Sequence, residues 1–94
     1  MDIKYKVYNL VSQIPKGKVM TYGQIAKRLK ISPRLVGRVL HQNKDPEKIP
    51  CHRVVFADGS LSKSYAFGGE KEQRRKLIKE GIKFKNGKVD IKLF

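Results

Sequence analysis

Val7, Leu10, Val11 and Ile14 recur at helical spacing, which predicts a first helix over residues 2–13 with these four side chains as its core face. Pro15-Lys16-Gly17-Lys18 breaks the pattern, and Val19-Met20 reads as a brief extended segment. Thr21 suits an N-cap. Tyr22, Ile25, Ala26 and Leu29 then stand at i, i+3, i+4 and i+7, the single apolar stripe of a second helix. Ser32 suits a further N-cap and Pro33 a first helical position, where no N–H is needed. A third helix follows over residues 33–42, with Leu35, Val36, Val39 and Leu40 inward. Two short helices joined by a tight turn predict a helix-turn-helix.

Residues 43–48 are a polar loop, residues 53–56 read as a strand and residues 57–60 as a turn. Residues 61–69 carry Ser, Gly and aromatics without a period and read as a loop. A last helix is predicted over residues 70–80, with Leu77 and Ile78 inward, acidic residues in its first turn and Gly81 as its stop. Asn86-Gly87 stands between alternating apolar residues in 82–94, a strong hairpin signal. The expected fold is mainly α with small β: a winged helix-turn-helix-like domain with a short C-terminal hairpin, one domain over residues 1–94.

Charge sharpens this picture. Lys and Arg number 22 against 8 Asp and Glu, a net charge of +14 and a pI of about 10.2. Self-repulsion of that size destabilises a compact state, so the charge points to a polyanionic partner. Nucleic acid comes first, an anionic membrane surface second, and solubility alone third. In the third helix Arg34, Arg38 and His41 stand at i, i+4 and i+7, on the side away from its apolar residues. Such a stripe is either a solvated face or the face of a recognition helix that enters a DNA groove. Gly37 inside the helix costs about 1 kcal/mol relative to Ala, which a close approach by another backbone or by nucleic acid would explain.

Ile49-Pro50-Cys51-His52-Arg53-Val54-Val55 contains the single cysteine of the chain and one of its two histidines. A thiol acts as a nucleophile only when deprotonated, and an imidazole and a guanidinium beside it are groups that make the thiolate available. The competing reading is a buried structural cysteine in a strand. One cysteine forms no internal disulfide and builds no zinc site unaided, and no Cys/His cluster has metal spacing. No apolar run approaches a membrane span, and the N-terminus lacks a signal-peptide core, so a reduced, intracellular, cytoplasmic setting is expected.

These residues resemble the DNA-binding, active-site domain of the O6-alkylguanine-DNA alkyltransferases. The resemblance runs from about Tyr5 to Phe84 and is most specific at Pro50-Cys51-His52-Arg53-Val54, the family's active-site motif. Thr21-Tyr22-Gly23-Gln24, Arg34 with Val36-Gly37, Asn43 eight residues before Cys51, and Glu80-Gly81 match at consistent spacing. The resemblance implies a repair protein that docks its recognition helix on double-stranded DNA, rotates O6-alkylguanine out of the stack and transfers the alkyl group irreversibly to Cys51. It implies no cofactor, no metal, a monomer, and other repair proteins as further partners.

By the same resemblance Arg34 is the intercalating arginine and Gly37 and Thr21 lie at the DNA, where the cationic stripe also places Arg38. Tyr22 crowds the flipped nucleotide's phosphate and assists proton donation to the base. Asn43 is the hinge asparagine, and Pro50 and Tyr65 border the substrate pocket. His52 is the base for Cys51 through a water, and Glu80 orients His52. Plainer readings stand beside these: Tyr22 as core, Arg34 as a phosphate contact, Glu80 as a late-helix acid. Adjacent Cys and His on a strand point to opposite faces, which argues against a cysteine protease and for a water between them.

The chain departs from the pattern in three places. The family's separate N-terminal domain is expected to be absent, Arg38 stands where many members have glycine, and Ser64 stands where a glycine is expected before Tyr65. Two other functions are open. Alkyltransferase-like proteins bind the lesion without transfer and typically carry tryptophan, sometimes alanine, at the position of Cys51. A winged-helix regulator would explain Arg34 and Arg38 but leave Cys51, His52 and Glu80 without a role.

Overall fold

The computed structural model describes residues 2–63 and 65–91. Ser64 and the last residues of the predicted hairpin lie outside the described residues. Helix α1 (Ile3–Ser12) starts at Asp2, whose carboxylate accepts the Lys4 N–H at 3.2 Å. Strand β1 (Met20–Thr21) leads directly into helix α2 (Tyr22–Leu29). Thr21 and Gln24 close a capping box: Thr21 Oγ1 accepts the Gln24 N–H at 2.9 Å, and the Thr21 N–H donates to Gln24 Oε1 at 3.3 Å. Lys30, at φ 59°, stops α2 in a left-handed conformation, and the Ile31 N–H reaches back to the Ala26 carbonyl at 3.0 Å. Ser32 then caps helix α3 (Pro33–His41) by accepting the Leu35 N–H at 3.1 Å. Stop and start signals in consecutive residues thus produce the tight turn of the helix-turn-helix.

Strand β2 (Val54–Val55) pairs in parallel with β1, Met20 opposite Val54 and Thr21 opposite Val55. Alternation along this short ladder divides the interior. Met20 and Val54 join a core built from Val7, Leu10 and Val11 of α1, Ile25 of α2 and Val36 of α3. Val19 and Val55 join a second core with Leu61, Leu77, Ile82 and Val89.

The strand expected over residues 53–56 is shorter. Cys51–Arg53 form one turn of 3-10 helix, and Phe56 leaves the ladder because its N–H turns onto the Ser60 carbonyl at 3.0 Å. Pro50 sets up the 3-10 turn. Its φ of −75° and ψ of 70° are those of an inverse γ-turn, closed by the Cys51 N–H on the Ile49 carbonyl at 2.7 Å.

Helix α4 (Gly69–Lys79) carries Glu70 and Glu72 in its first turn, and Glu80 is its C-cap. Leu77 is buried, but Ile78, expected inward, is 56 % exposed. The inward row is Gln73 and Leu77, one turn apart, and Ile78 lies about 100° further round. Gln73 is fully buried. Its amide donates to the carbonyls of His52 (3.1 Å) and Val54 (3.0 Å) and accepts the Ser62 N–H at 3.1 Å. Those bonds offset the desolvation cost of an amide in the core.

Strands β3 (Phe84–Lys85) and β4 (Lys88–Val89) form the hairpin, with Asn86 at φ 55° and Gly87 at φ 80° as the mirror-image turn its twist requires. The hairpin is held by the Val89 N–H on the Gly59 carbonyl at 2.8 Å. A Cβ on Gly59 would stand 2.5 Å from the Val89 oxygen, so only glycine permits this approach. Among the described residues no helix is long and apolar enough to cross a membrane.

Candidate active site

The γ-turn and the 3-10 turn place Cys51 on the wall of a cavity of about 730 Å³. The thiol is 5 % exposed, and its hydrogen-bond partner is the Asn43 amide, Nδ2 to Sγ 3.4 Å. The same Nδ2 donates to the Ile49 carbonyl at 2.8 Å, and Asn43 Oδ1 accepts the Asp45 N–H at 2.9 Å. Asn43, buried just past α3, therefore fastens the end of that helix to the turn that carries the sulfur. Burial pushes the Cys51 thiol above its ordinary value, opposed by the Asn43 hydrogen bond and by the charge of Lys76.

Neither the His52 imidazole nor the Arg53 guanidinium bonds the thiol directly; both hold Glu80. Arg53 grips Glu80 with two bonds, Nε to Oε1 at 2.9 Å and Nη2 to Oε2 at 2.6 Å, and donates Nη1 to the Ile14 carbonyl at 2.7 Å. His52 Nε2 lies 3.0 Å from Glu80 Oε2. Burial alone would raise the Glu80 carboxyl, but bonds from Arg53 and His52 hold it below its ordinary value. An anionic Glu80 makes Nε2 the protonated nitrogen of His52, so Nδ1 keeps a free lone pair. Nδ1 is buried and has no partner among the described residues. Burial also pushes His52 below its ordinary value, against the pull of Glu80, so the ring is neutral near pH 7. His52, Glu80 and Pro50 line a second cavity of about 520 Å³. Cys51 and His52, although on a 3-10 turn and not on a strand, thus open onto different cavities.

Two phenols share the first cavity with the sulfur. Tyr22 packs on the exposed ring of Phe56, centroids 4.9 Å apart, and hydrogen-bonds Ser62. Tyr65 is buried, and its oxygen accepts from Lys76 Nζ at 2.8 Å. Burial pushes both phenols above the ordinary tyrosine value, so both keep their protons. Gly37, Arg34, Arg38 and His41 of α3 complete the lining, with both arginines exposed. A Cβ on Gly37 would meet Tyr22 Cε1 at 3.9 Å, an ordinary contact, so packing within the protein does not demand glycine. Thr21 is buried, with its hydroxyl committed to the capping box.

The fold therefore gathers Cys51, Tyr22, Tyr65, Gly37, Arg34 and Arg38 around one cavity, with Asn43 beneath the sulfur. It sets Pro50, His52 and Glu80 around another. Sequence reasoning missed the Arg53 clamp on Glu80, the Lys76 contact to Tyr65 and the Gln73 brace. Gln73 alone left a signal, as an uncharged polar residue one turn before Leu77 in a helix rich in charge.

Comparison with known proteins places the chain in a family. Over residues 2–82 the chain matches the family described as 6-O-methylguanine DNA methyltransferase, DNA binding domain. A bifunctional methyltransferase/endonuclease of Picrophilus torridus is 40 % identical over 96 residues, covering 100 % of this chain and 32 % of that protein. A methylated-DNA–protein-cysteine methyltransferase of Methanocaldococcus jannaschii is 46 % identical over 83 residues, covering 84 % and 48 %. The chain thus spans about a third to a half of the length of these relatives. The crystal structure of Schizosaccharomyces pombe Atl1 with damaged DNA containing O6-carboxymethylguanine superposes with a TM-score of 0.79 at 35 % identity, covering 98 % of this chain and 91 % of that one. The match over nearly the whole length, with the motif cysteine on the wall of a cavity rimmed by α3, means that the chain belongs to the 6-O-methylguanine DNA methyltransferase family, as its DNA-binding domain.

Proposed function

We propose that this single domain repairs O6-alkylguanine in double-stranded DNA by moving the alkyl group onto Cys51, once per molecule. The observation that carries the reading is a lone thiol facing the same cavity as two protonated phenols and the exposed arginines of α3. Helix α3 docks in a groove of the duplex, with Arg38 on the backbone and Gly37 at the closest approach. The damaged guanine leaves the stack, at a cost of a few kcal/mol, and Arg34 fills the space it vacates. Thr21 holds the N-terminus of α2, and with it Tyr22, against the flipped nucleotide.

The Cys51 proton passes through a water to His52 Nδ1, and Glu80 stabilises the imidazolium that results. The thiolate then attacks the alkyl carbon: the S–C bond forms as the C–O6 bond breaks, and the electron pair stays on the base. Tyr22 donates its proton to the guanine, which makes it a neutral leaving group, and the phenolate then takes a proton from water as the His52 imidazolium releases one to solvent. Tyr65 borders the pocket, Pro50 sets the turn that carries the sulfur instead of bordering the pocket, and Asn43 holds the sulfur. The thioether is stable, so no step regenerates the thiol.

A second reading has its own support, since the matched structure of Atl1 with damaged DNA covers 98 % of this chain. In that reading the domain binds the lesion and leaves the alkyl group in place. Intact-protein mass after incubation with an oligonucleotide containing O6-methylguanine separates the two. Transfer adds one methyl group to the protein and none to Cys51→Ala. Tight lesion-selective binding without any gain in mass would establish the binding role and remove the transferase.

A further inference from the structure

Lys76 lines the second cavity, beside His52 and Glu80, and reaches the cysteine's cavity through Tyr65; it has no part in the chemistry above. Its ammonium donates to the Tyr65 hydroxyl at 2.8 Å and lies 5.3 Å from the centroid of the Tyr65 ring and 5.5 Å from that of Phe67. Glu80, one turn further along α4, is already held by Arg53 and His52. A flexible, strongly hydrated ammonium is thus fixed by one hydroxyl and two ring faces. Because the Tyr65 oxygen accepts from Lys76, its own proton is turned away from the lysine.

The surroundings of the sulfur give this cation a use. Tyr8 from α1, Tyr22 from α2 and Tyr65 from the loop each feel the charge of Cys51, and all three are neutral phenols. His52 is neutral, the charge of Arg53 is met by Glu80, and Arg34, Arg38 and His41, which line the same cavity from α3, are exposed to water. A thiolate formed in this largely apolar cavity needs a positive charge nearby, and Lys76 supplies one from α4. We propose that Lys76 is a positioning residue for alkyl transfer: it fixes the Tyr65 hydroxyl from behind and sets a positive charge that stabilises the Cys51 thiolate. The inference rests on the transferase reading.

The test is the pH dependence of Cys51 alkylation by iodoacetamide in the protein without DNA. This uncharged reagent forms an S–C bond with the thiolate and releases iodide, and the chain offers it a single cysteine. Lys76→Met should move the profile up by about one pH unit, so that the rate near pH 8 falls roughly tenfold while the high-pH plateau is unchanged. Lys76→Arg should restore the rate to within about twofold, since it keeps the charge. Methyl transfer from an O6-methylguanine duplex should slow in Lys76→Met in the same proportion, with lesion affinity and melting temperature preserved. A Lys76→Met profile that overlays the parent overturns the proposal. So does a shift that Lys76→Arg fails to reverse, which would trace the effect to lost packing. Absence of transfer by the unsubstituted protein overturns the transferase reading itself, whereas the iodoacetamide profile tests the charge independently of it.

Discussion

A carboxylate just past the last turn of a helix meets the negative end of the helix dipole. Glu80 holds that place because three N–H groups of Arg53 and His52 point at its two oxygens. The side chains of the Arg53–Glu80 pair are only 15 % and 12 % exposed, so neither charge is well served by water. Glu80→Gln would leave the guanidinium short of its counter-charge, and removing one partner of such a pair should cost about 3 kcal/mol in denaturant unfolding. Acid should show the same dependence. Folding lowers His52 below its ordinary 6.5 and Glu80 below its ordinary 4.5. In each case the unfolded chain binds the proton more readily, so stability is complete above the unfolded value and declines as pH falls through and below it. Unfolding free energy should hold level down to pH 6.5, decline below it, and decline more steeply below 4.5. His52→Gln should flatten the first decline and leave the second, which denaturation curves at successive pH values will resolve.

Among the elements, α3 contains a glycine that the protein's own packing does not require. A methyl group at Gly37 would sit 3.9 Å from Tyr22, so alanine fits the free protein. Gly37→Ala should therefore stabilise the fold by roughly 0.5–1 kcal/mol through helix propensity, read as a higher melting temperature. It should also weaken duplex binding several-fold, because the added methyl stands on the face proposed to meet DNA. Unchanged affinity would remove the close approach from the docking picture. Helices such as α3 were legible in the sequence because their signals are local: Ser32 and Pro33 at the start, and Val36, Val39 and Leu40 at one spacing. The 3-10 turn at Cys51 was not, since Arg53, Val54 and Val55 read as a strand and only the γ-turn at Pro50 and the Gln73 amide divert the chain. Inside the site the pairing of His52 with Glu80 was legible through the resemblance, but the division of the motif residues between two cavities and the contacts of Arg53 and Lys76 were not. Arg53 meets a residue 27 positions away and Lys76 one 11 positions away, and no local period encodes such pairs.

At the scale of the whole chain, a charge of +14 on 94 residues should dominate how it would meet a duplex. Binding to undamaged DNA should rest on phosphate contacts and the release of condensed cations, which carries no information about the lesion. The logarithm of the association constant should then fall linearly with the logarithm of salt concentration, with a slope of about −0.9 per neutralised phosphate. Arg34 and Arg38 lie exposed on the same face of α3, yet the proposed roles separate them. Arg38→Ala should lower affinity for damaged and undamaged duplex alike and make the slope shallower by about one. Arg34→Ala should spare most of the bulk affinity and its slope while sharply reducing capture of O6-methylguanine, because its side chain takes the place of the extruded base. Fluorescence anisotropy on paired damaged and undamaged duplexes across a salt series measures both effects. Equal losses from the two substitutions would make Arg34 a phosphate contact and would leave base extrusion to the cavity alone. A flat salt response would detach the charge from DNA docking altogether.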